Sequence, residues 1–331
     1  MKKSLLALAV LGAFAGAASA QTSITIYGSF DAGIRNVTNF NANGSRLSMG
    51  SNGTYNSNRI GFKGVEDLGG GLNAHFQLET GFNTGTGSLD NAANRLFNRT
   101  AAVGIGGAWG SLDLGRQYSV NFKTIGLYDP FQYKYTGIIP LAAQGGLTRL
   151  DNDIQYSGKF GGVGVMAEYA LGEVAGSTGN NSTYAVGANY TGGGITVGAA
   201  YTGGKRGATP ATADQSLRNF TVGGAYATGP FRVAVGYADL KQDIAGGGDA
   251  RVKDWWLGGS YAITPAAALS VAYYDTKVDA TDTKQKLFIV GATYALSKRT
   301  NFYADIDNKR FSGPAAPDTQ TGISVGINHL F

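Results

Sequence analysis

His75 and His329 are the only imidazoles in this 331-residue chain, which also lacks cysteine. A Ser–His–Asp hydrolase would have to use His75, because His329 lies in a terminal alternating run. His75 itself sits beside a short turn, a poor place for a catalytic base. Asp151-Asn152-Asp153 could offer oxygen ligands to Ca²⁺ or Mg²⁺. Alternate spacing along a strand puts both acids on one face, and that account needs no ion. The run Gly246-Gly247-Gly248-Asp249 does not repeat, so it is no Ca²⁺-binding nonapeptide array. No Gly-Lys-Ser/Thr accompanies the 52 glycines, which leaves no phosphate loop. Trp255-Trp256 fits a wall and an interface girdle better than a sugar platform. The chain therefore reads as a non-enzyme without metal or cofactor. What remains is a scatter of basic side chains, and their meaning depends on the elements that hold them.

The stretch from Tyr118 to Thr148 lacks clean period-two alternation. Pro130, Pro140, Gly126, Gly137, Gly145 and Gly146 suit neither a central strand nor a long helix. A loop this long is usually functional or disordered. Tyr118, Phe122, Tyr128, Phe131, Tyr133 and Tyr135 argue for order. The spacing predicts an ordered loop folded inside a hollow body, carrying Asp129, Lys123 and Lys134.

Lys2-Lys3, the apolar run Leu5 to Gly16 and Ala18-Ser19-Ala20 form an export signal, residues 1–20, with the mature chain expected from Gln21. The mature part, 21–331, reads as a single domain. Glycine is abundant, tyrosine numerous at 18, proline scarce at 7 and charge low at 15 %. The formal charge of +5 is no nucleic-acid footprint. No later apolar run approaches the roughly eighteen residues of a membrane helix. A membrane chain of this kind must close a β-barrel, because lipid cannot satisfy free backbone groups.

Alternation begins at once. Ile24, Ile26 and Phe30 share one face, with Asp31 and Arg35 opposite. A polar loop is expected over 39–55. Ile60 and Phe62 then oppose Arg59 and Lys63, and Gly69-Gly70-Gly71 turns the chain. Leu72, Ala74, Phe76 and Leu78 oppose His75, Gln77 and Glu79. Around Arg99 and Arg116 the period blurs, and alternation does not say which way they point. After the long loop, Tyr156, Tyr190, Tyr226, Tyr261 and Tyr294 each precede a short turn, and longer polar loops lie between. Short turns at one end and long loops at the other belong to outer-membrane barrels. Outward runs such as Val163/Val165/Ala167/Tyr169 and Phe231/Val233/Val235/Tyr237 place aromatics at the strand ends, as girdles do. The last strand, Thr321 to Phe331, ends on an aromatic. Eight hairpins give an all-β, sixteen-stranded antiparallel transmembrane β-barrel, with the third external loop, about 118–148, folded into the lumen.

Ile26-Tyr-Gly-Ser, Arg59-Ile-Gly-Phe-Lys-Gly, Asn98-Arg-Thr-Ala-Ala-Val-Gly, Leu114-Gly-Arg-Gln-Tyr, Val290-Gly-Ala-Thr-Tyr and Val325-Gly-Ile-Asn-His-Leu-Phe follow one another in an order that resembles the Gram-negative general porins, most of all the β-proteobacterial ones. The similarity spans the mature chain. It implies a homotrimer in the outer membrane, among lipid and lipopolysaccharide, assembled through the barrel-assembly machinery by the C-terminal strand with Phe331 as signal. It implies that Arg59, Arg99 and Arg116 are wall arginines facing a constriction, with Lys63 an inward lysine and Arg149 and Arg35 further members. On the loop side it implies Asp129, Lys123, Lys134, Tyr128 and Tyr133. The loop lacks the acidic Pro-Glu-Phe-Gly turn of enterobacterial relatives, which shifts the balance to positive.

Such a constriction selects small ions and hydrophilic solutes by size and charge without making a bond. Basic rings favour anions. One charge about 5 Å away is worth roughly 0.8 kcal/mol in bulk-like water, so three give about 2–3 kcal/mol. Near 1 M salt, where the Debye length is about 3 Å, much of this vanishes. The expectation is a moderately anion-selective passive diffusion channel. Asp31, Glu79, Asp151 and Asp153 leave open a lining without net selectivity. The alternative is a substrate-specific pore with a saturable site for a sugar or small organic anion.

Overall fold

The computed structural model describes residues 23–49, 53–135, 137–140, 148–206, 215–244, 247–313 and 319–331. The expected export signal, residues 1–20, and part of the long loop, residues 136 and 141–147, lie outside the described residues.

Alternation becomes seventeen strands of one antiparallel sheet. β1 (Ser23–Asn41), β2 (Gly44–Met49), β3 (Arg59–Gly69), β4 (Leu72–Gly81), β5 (Thr100–Gly107) and β6 (Gly110–Tyr118) precede the long loop. β7 (Arg149–Phe160), β8 (Val163–Ala170), β9 (Thr183–Gly192), β10 (Ile195–Arg206), β11 (Gln215–Thr228) and β12 (Phe231–Asp243) follow it. β13 (Asp249–Ala262), β14 (Ala267–Val278), β15 (Thr283–Ala295), β16 (Thr300–Ser312) and β17 (Thr319–Leu330) complete the chain. From β3 onward each strand pairs with the next, and β17 returns to β1 along Ser29–Val37.

β3 pairs with Ser23–Ser29 of β1, and β2 with the far half, Ile34–Asn41. Both lie on the side of β1 away from β17, so they fill one position in line. The barrel is therefore closed with sixteen positions, as the hairpin count expects. The expected polar loop over 39–55 is corrected here, because it contains the end of β1 and all of β2. Its cause is an Asn-Gly turn. Gly44 takes φ +103°, and the Asn41 side chain accepts the Asn43 N–H.

Closure leaves no sheet edge, as a barrel in lipid requires. The outer face carries the apolar half of each alternation. Val233, Leu257 and Ile306 are about half exposed, while their neighbours Ala234, Trp256 and Asp305 are buried inside. This is the inverse of a soluble β-protein, and it suits a lipid-facing wall.

Among the described residues of the long loop stands a helix, α1 (Val120–Tyr128). Ser119 caps it by accepting the Phe122 N–H at 3.2 Å. The helix packs on the inner faces of β8 to β12. Those faces are made small where it passes. A β-carbon at Gly187 would come 2.7 Å from Val120 Cγ1, and one at Gly223 would come 2.6 Å from Tyr128 Cε2. The described part of the β6–β7 connection thus lies on the inner side of the sheet, with α1 against β8 to β12.

Candidate functional site

The described part of the loop is pinned at several points. Tyr128 stacks on Trp256 at 5.9 Å, and its hydroxyl shares a hydrogen bond with Thr221. Trp256 Nε1 donates to the Tyr128 carbonyl at 3.0 Å. Arg232 donates to the carbonyls of Leu127, Asp129 and Pro130 at 3.0–3.2 Å. Asp129 is wholly buried and accepts from Tyr274 Oη and the Tyr133 N–H. Burial pushes its carboxyl up to about 6, against the pull of those donors and Arg232.

A second segment also turns inward. Residues 53–58, between β2 and β3, are held by Asp31, whose carboxylate accepts from Thr54 N, Asn56 N and Tyr303 Oη at 2.8–3.1 Å. The two inserts meet where Tyr135 N donates to the Tyr55 carbonyl at 2.7 Å and the two rings pack edge to face.

Between the inserts and the wall of β3 to β7 lies a cavity of about 790 Å³. Arg59, Arg95, Arg99, Arg116, Arg149 and Lys134 line it, with Tyr118 at the end of β6 and Phe122 and Tyr133 on the loop. The three rings stack in parallel, with centroids 4.8 and 4.1 Å apart, and Arg149 lies 4.4 Å from the Tyr118 ring centre. The implied wall arginines 59, 99, 116 and 149, together with Lys134 and Tyr133, are thus brought together.

Their charges are not equivalent. Arg99 is buried against Glu79 at 2.6 Å, with Asp90 at 3.9 Å. Arg116 and Arg95 share the two oxygens of Asp151. Arg59, Lys134 and Arg149 have no carboxylate within ion-pair distance among the described residues. Desolvation, followed by the neighbouring Arg59, lowers Lys134 to about 8.

The remaining candidates lie elsewhere. Arg35 is held by Asp307 at 2.7 Å and Asp305 at 3.4 Å. Lys63 is exposed, 5.4 Å from the Tyr27 ring centre and off the cavity lining. Lys123 points away from that cavity. It hydrogen-bonds Gln155 and lines a second cavity of about 320 Å³ with His75 and Asp113. Burial lowers its ammonium below the usual lysine range. Asp129 and Tyr128 are buried loop anchors off the cavity lining. Phe331 exchanges backbone hydrogen bonds with Gly28, and its ring lies 5.6 Å from Phe30.

Sequence reasoning put Arg232 on the inward face without giving it a role, and it missed Arg95 and the insert at 53–58. Arg95 lies outside any strand, so no periodicity marks it. Arg232 does carry a signal, an arginine on the inward face among alanines and glycines. Arg116 was ambiguous for a structural reason. The β6–β7 register breaks between Gly115 and Gln117, and Gly115 takes φ +130°. A bulge re-aims the side chain beside it.

A closed barrel with an apolar outer band and a polar interior, crossed by an inserted loop and bordered by cations, is an outer-membrane pore. The chain belongs to the Gram-negative porin family, whose sequence model matches residues 7–314. It is 32 % identical to an outer membrane porin protein of Bordetella pertussis over the whole of both chains. Outer membrane porin protein 32 of Delftia acidovorans is likewise 32 % identical over the whole of both. Among solved structures, the anion-selective porin from Comamonas acidovorans superposes with TM-score 0.79 at 26 % identity, covering 94 % of this chain and 100 % of that one. The protein is thus a channel of the bacterial outer membrane and not an enzyme.

Proposed function

We propose that the arginine-lined cavity is the constriction of a water-filled diffusion channel for small hydrophilic solutes, with a moderate preference for anions. One observation carries this reading. Arg59, Lys134 and Arg149 border the cavity without an acid partner among the described residues, while Asp31, Glu79 and Asp151 are each engaged by other groups. The loop's acid, Asp129, is turned into the wall, so no carboxylate of the loop opposes them. Likeness to a porin described as anion-selective supports the same sign. A saturable site for a small organic anion is the second reading, and the Tyr118–Phe122–Tyr133 stack along the cavity favours it. Saturation of the current by one solute would separate the two.

The test is the zero-current potential of the purified protein in a planar bilayer under a KCl gradient. The expected potential favours chloride in dilute salt and fades toward 1 M, where screening is about 3 Å. Because Lys134 loses its proton near pH 8, the chloride preference should also fall between pH 7 and pH 9. A cation-favouring potential would overturn the charge reading. The same preparation tests two further proposals. A heat-labile band at three times the monomer mass would support a homotrimer, and an N-terminus at Gln21 would place the cleavage after Ala20.

A further inference from the structure

One band of the inner wall keeps its oxygens unmet. Glu168 of β8 lies directly opposite Ala185 of β9, Ala185 opposite Thr202 of β10, and Thr202 opposite Asn219 of β11. Asp153 stands one inward position from Gln155, the residue of β7 opposite Glu168. Glu168 Oε1, Asp153 Oδ1, Thr202 Oγ1 and Asn219 Oδ1 have no hydrogen-bond partner among the described residues. Neither has Asn121 Oδ1, in the first turn of α1, the helix that packs on β8 to β11. All five side chains are at most 5 % exposed.

The band is sealed on both sides. Toward the long-loop end lie Ala170, Leu217 and Leu240, and toward the short-turn end Met166, Val120 and Ala200. Ala185 brings only a methyl group, which leaves room between Glu168 and Thr202. Each carboxylate spends one oxygen on its neighbours and keeps the other. Glu168 Oε2 accepts from Val120 N at 2.9 Å and Gln155 Nε2 at 2.7 Å, and Asp153 Oδ2 accepts from the same Gln155 nitrogen at 3.3 Å. Lys123 donates to the Gln155 oxygen and offsets one of the two negative charges. Buried acceptors left unmet are costly, and folded proteins keep few of them. Five around one band call for a ligand that needs oxygen lone pairs and nothing else. A water brings two hydrogens, too few for the set. Carboxylate, amide and hydroxyl oxygens together are what a hard cation takes.

We propose that this band binds Ca²⁺, with Asp153 and Glu168 as charged ligands and Thr202, Asn219 and Asn121 as neutral ones, and that the ion fastens the start of α1 to the wall. Two carboxylates, one of them offset by Lys123, make a weak site, half-filled at about 10⁻⁴–10⁻³ M. The sequence run Asp151-Asn152-Asp153 is not itself the site. Asp151 is held by Arg95 and Arg116, and only Asp153 turns into the band. The site is independent of the charge reading of the arginine-lined cavity.

The test uses the full-length protein refolded in detergent without lipopolysaccharide, so that no lipid phosphate competes for the metal. After dialysis against EDTA, binding of radioactive calcium is measured at constant ionic strength. The temperature at which the heat-modifiable gel band is lost is followed against added CaCl₂. One Ca²⁺ should bind per chain and raise that temperature. E168Q keeps an acceptor for Val120 N and removes a charge, and it should need at least about tenfold more Ca²⁺. T202V removes one neutral oxygen at equal volume. It should bind at least about threefold more weakly, yet melt no lower than the parent in EDTA, because an unmet acceptor is gone. D279N, in the β14–β15 connection, should bind as the parent does. Should E168Q fail to fold, T202V must still weaken binding. Absence of bound calcium in the parent, or an unchanged affinity in E168Q and T202V, overturns the proposal. So does an equal rise in melting temperature with MgCl₂ or NaCl, which would show diffuse charge screening in place of a coordinated ion.

Discussion

Arg99 and Arg149 border the same cavity, yet replacing them should do different things. Arg149 has a tyrosine ring and hydroxyl for partners and no acid among the described residues, so under the proposed reading its charge acts on ions in the lumen. Arg99 is buried and its charge is spent on Glu79. R149A should therefore shift the zero-current potential toward the cation side with little change in heat resistance. R99A strands a buried carboxylate, a change that commonly costs about 3–5 kcal/mol. It should show first as a lowered unfolding temperature of the gel band. If R149A left the potential unchanged while R99A moved it, the assignment of free and spent charge would be reversed. This contrast also marks what the sequence could tell. Family resemblance put Arg59, Arg99, Arg116 and Arg149 together, and they do meet. It could not say which would be neutralised, because Glu79 is twenty residues from Arg99 and Asp151 thirty-five from Arg116. Those pairings exist only once the strands are in register. Arg35 illustrates the same point, since Asp305 and Asp307 lie across the closing seam.

At the scale of elements, the alternating strands were legible and the irregular pieces were not. Period two survives wherever one face meets lipid, so β10 to β16 could be read residue by residue. β2 was hidden in a polar run, since Asn, Gly and Ser surround its two outward apolar residues, Leu47 and Met49. α1 has too weak an apolar stripe to be read from periodicity. It is defined by its cap and by the wall it lies on. Arg232 is the decisive contact. It takes three carbonyls at the end of α1, the groups that a helix terminus leaves without partners. A cation there also opposes the negative end of the helix dipole. R232A should release the loop tip at a cost of about 2–4 kcal/mol of docking. Single-channel records should then show larger and noisier conductance, while the folded gel band persists. R232K keeps the charge but not the fork that reaches three acceptors, so it should rescue only in part. A quiet, unaltered channel in R232A would mean that Tyr274, Trp256 and the aromatic stack hold the loop alone.

For the whole molecule, everything depends on the seam between β1 and β17. The other paired strands are neighbours or near neighbours along the chain, whereas these two meet from opposite ends of it. The seam is long, Ser29 to Val37 against Leu330 to Gly322, and it carries its own side-chain lock. Ser29 Oγ and Asn56 Nδ2 both donate to Asn328 Oδ1, so the last strand holds the inward segment as well as the first strand. Phe331 adds two backbone hydrogen bonds at Gly28 and a ring contact with Phe30. Removing the ring and removing the strand are therefore different perturbations. F331A keeps the backbone pairing and loses about 1–2 kcal/mol of apolar contact. It should still give a heat-modifiable barrel with a lower midpoint. A chain ending at Thr321 loses the seam and exposes the edges of β1 and β16. In lipid each unpaired backbone group there costs several kcal/mol, far beyond the margin of a folded domain. That chain should yield no heat-modifiable band and no step conductance, at any temperature. A weakened but closed barrel from the truncated chain would mean that β16 can pair with β1 directly, and that closure does not depend on the terminal strand.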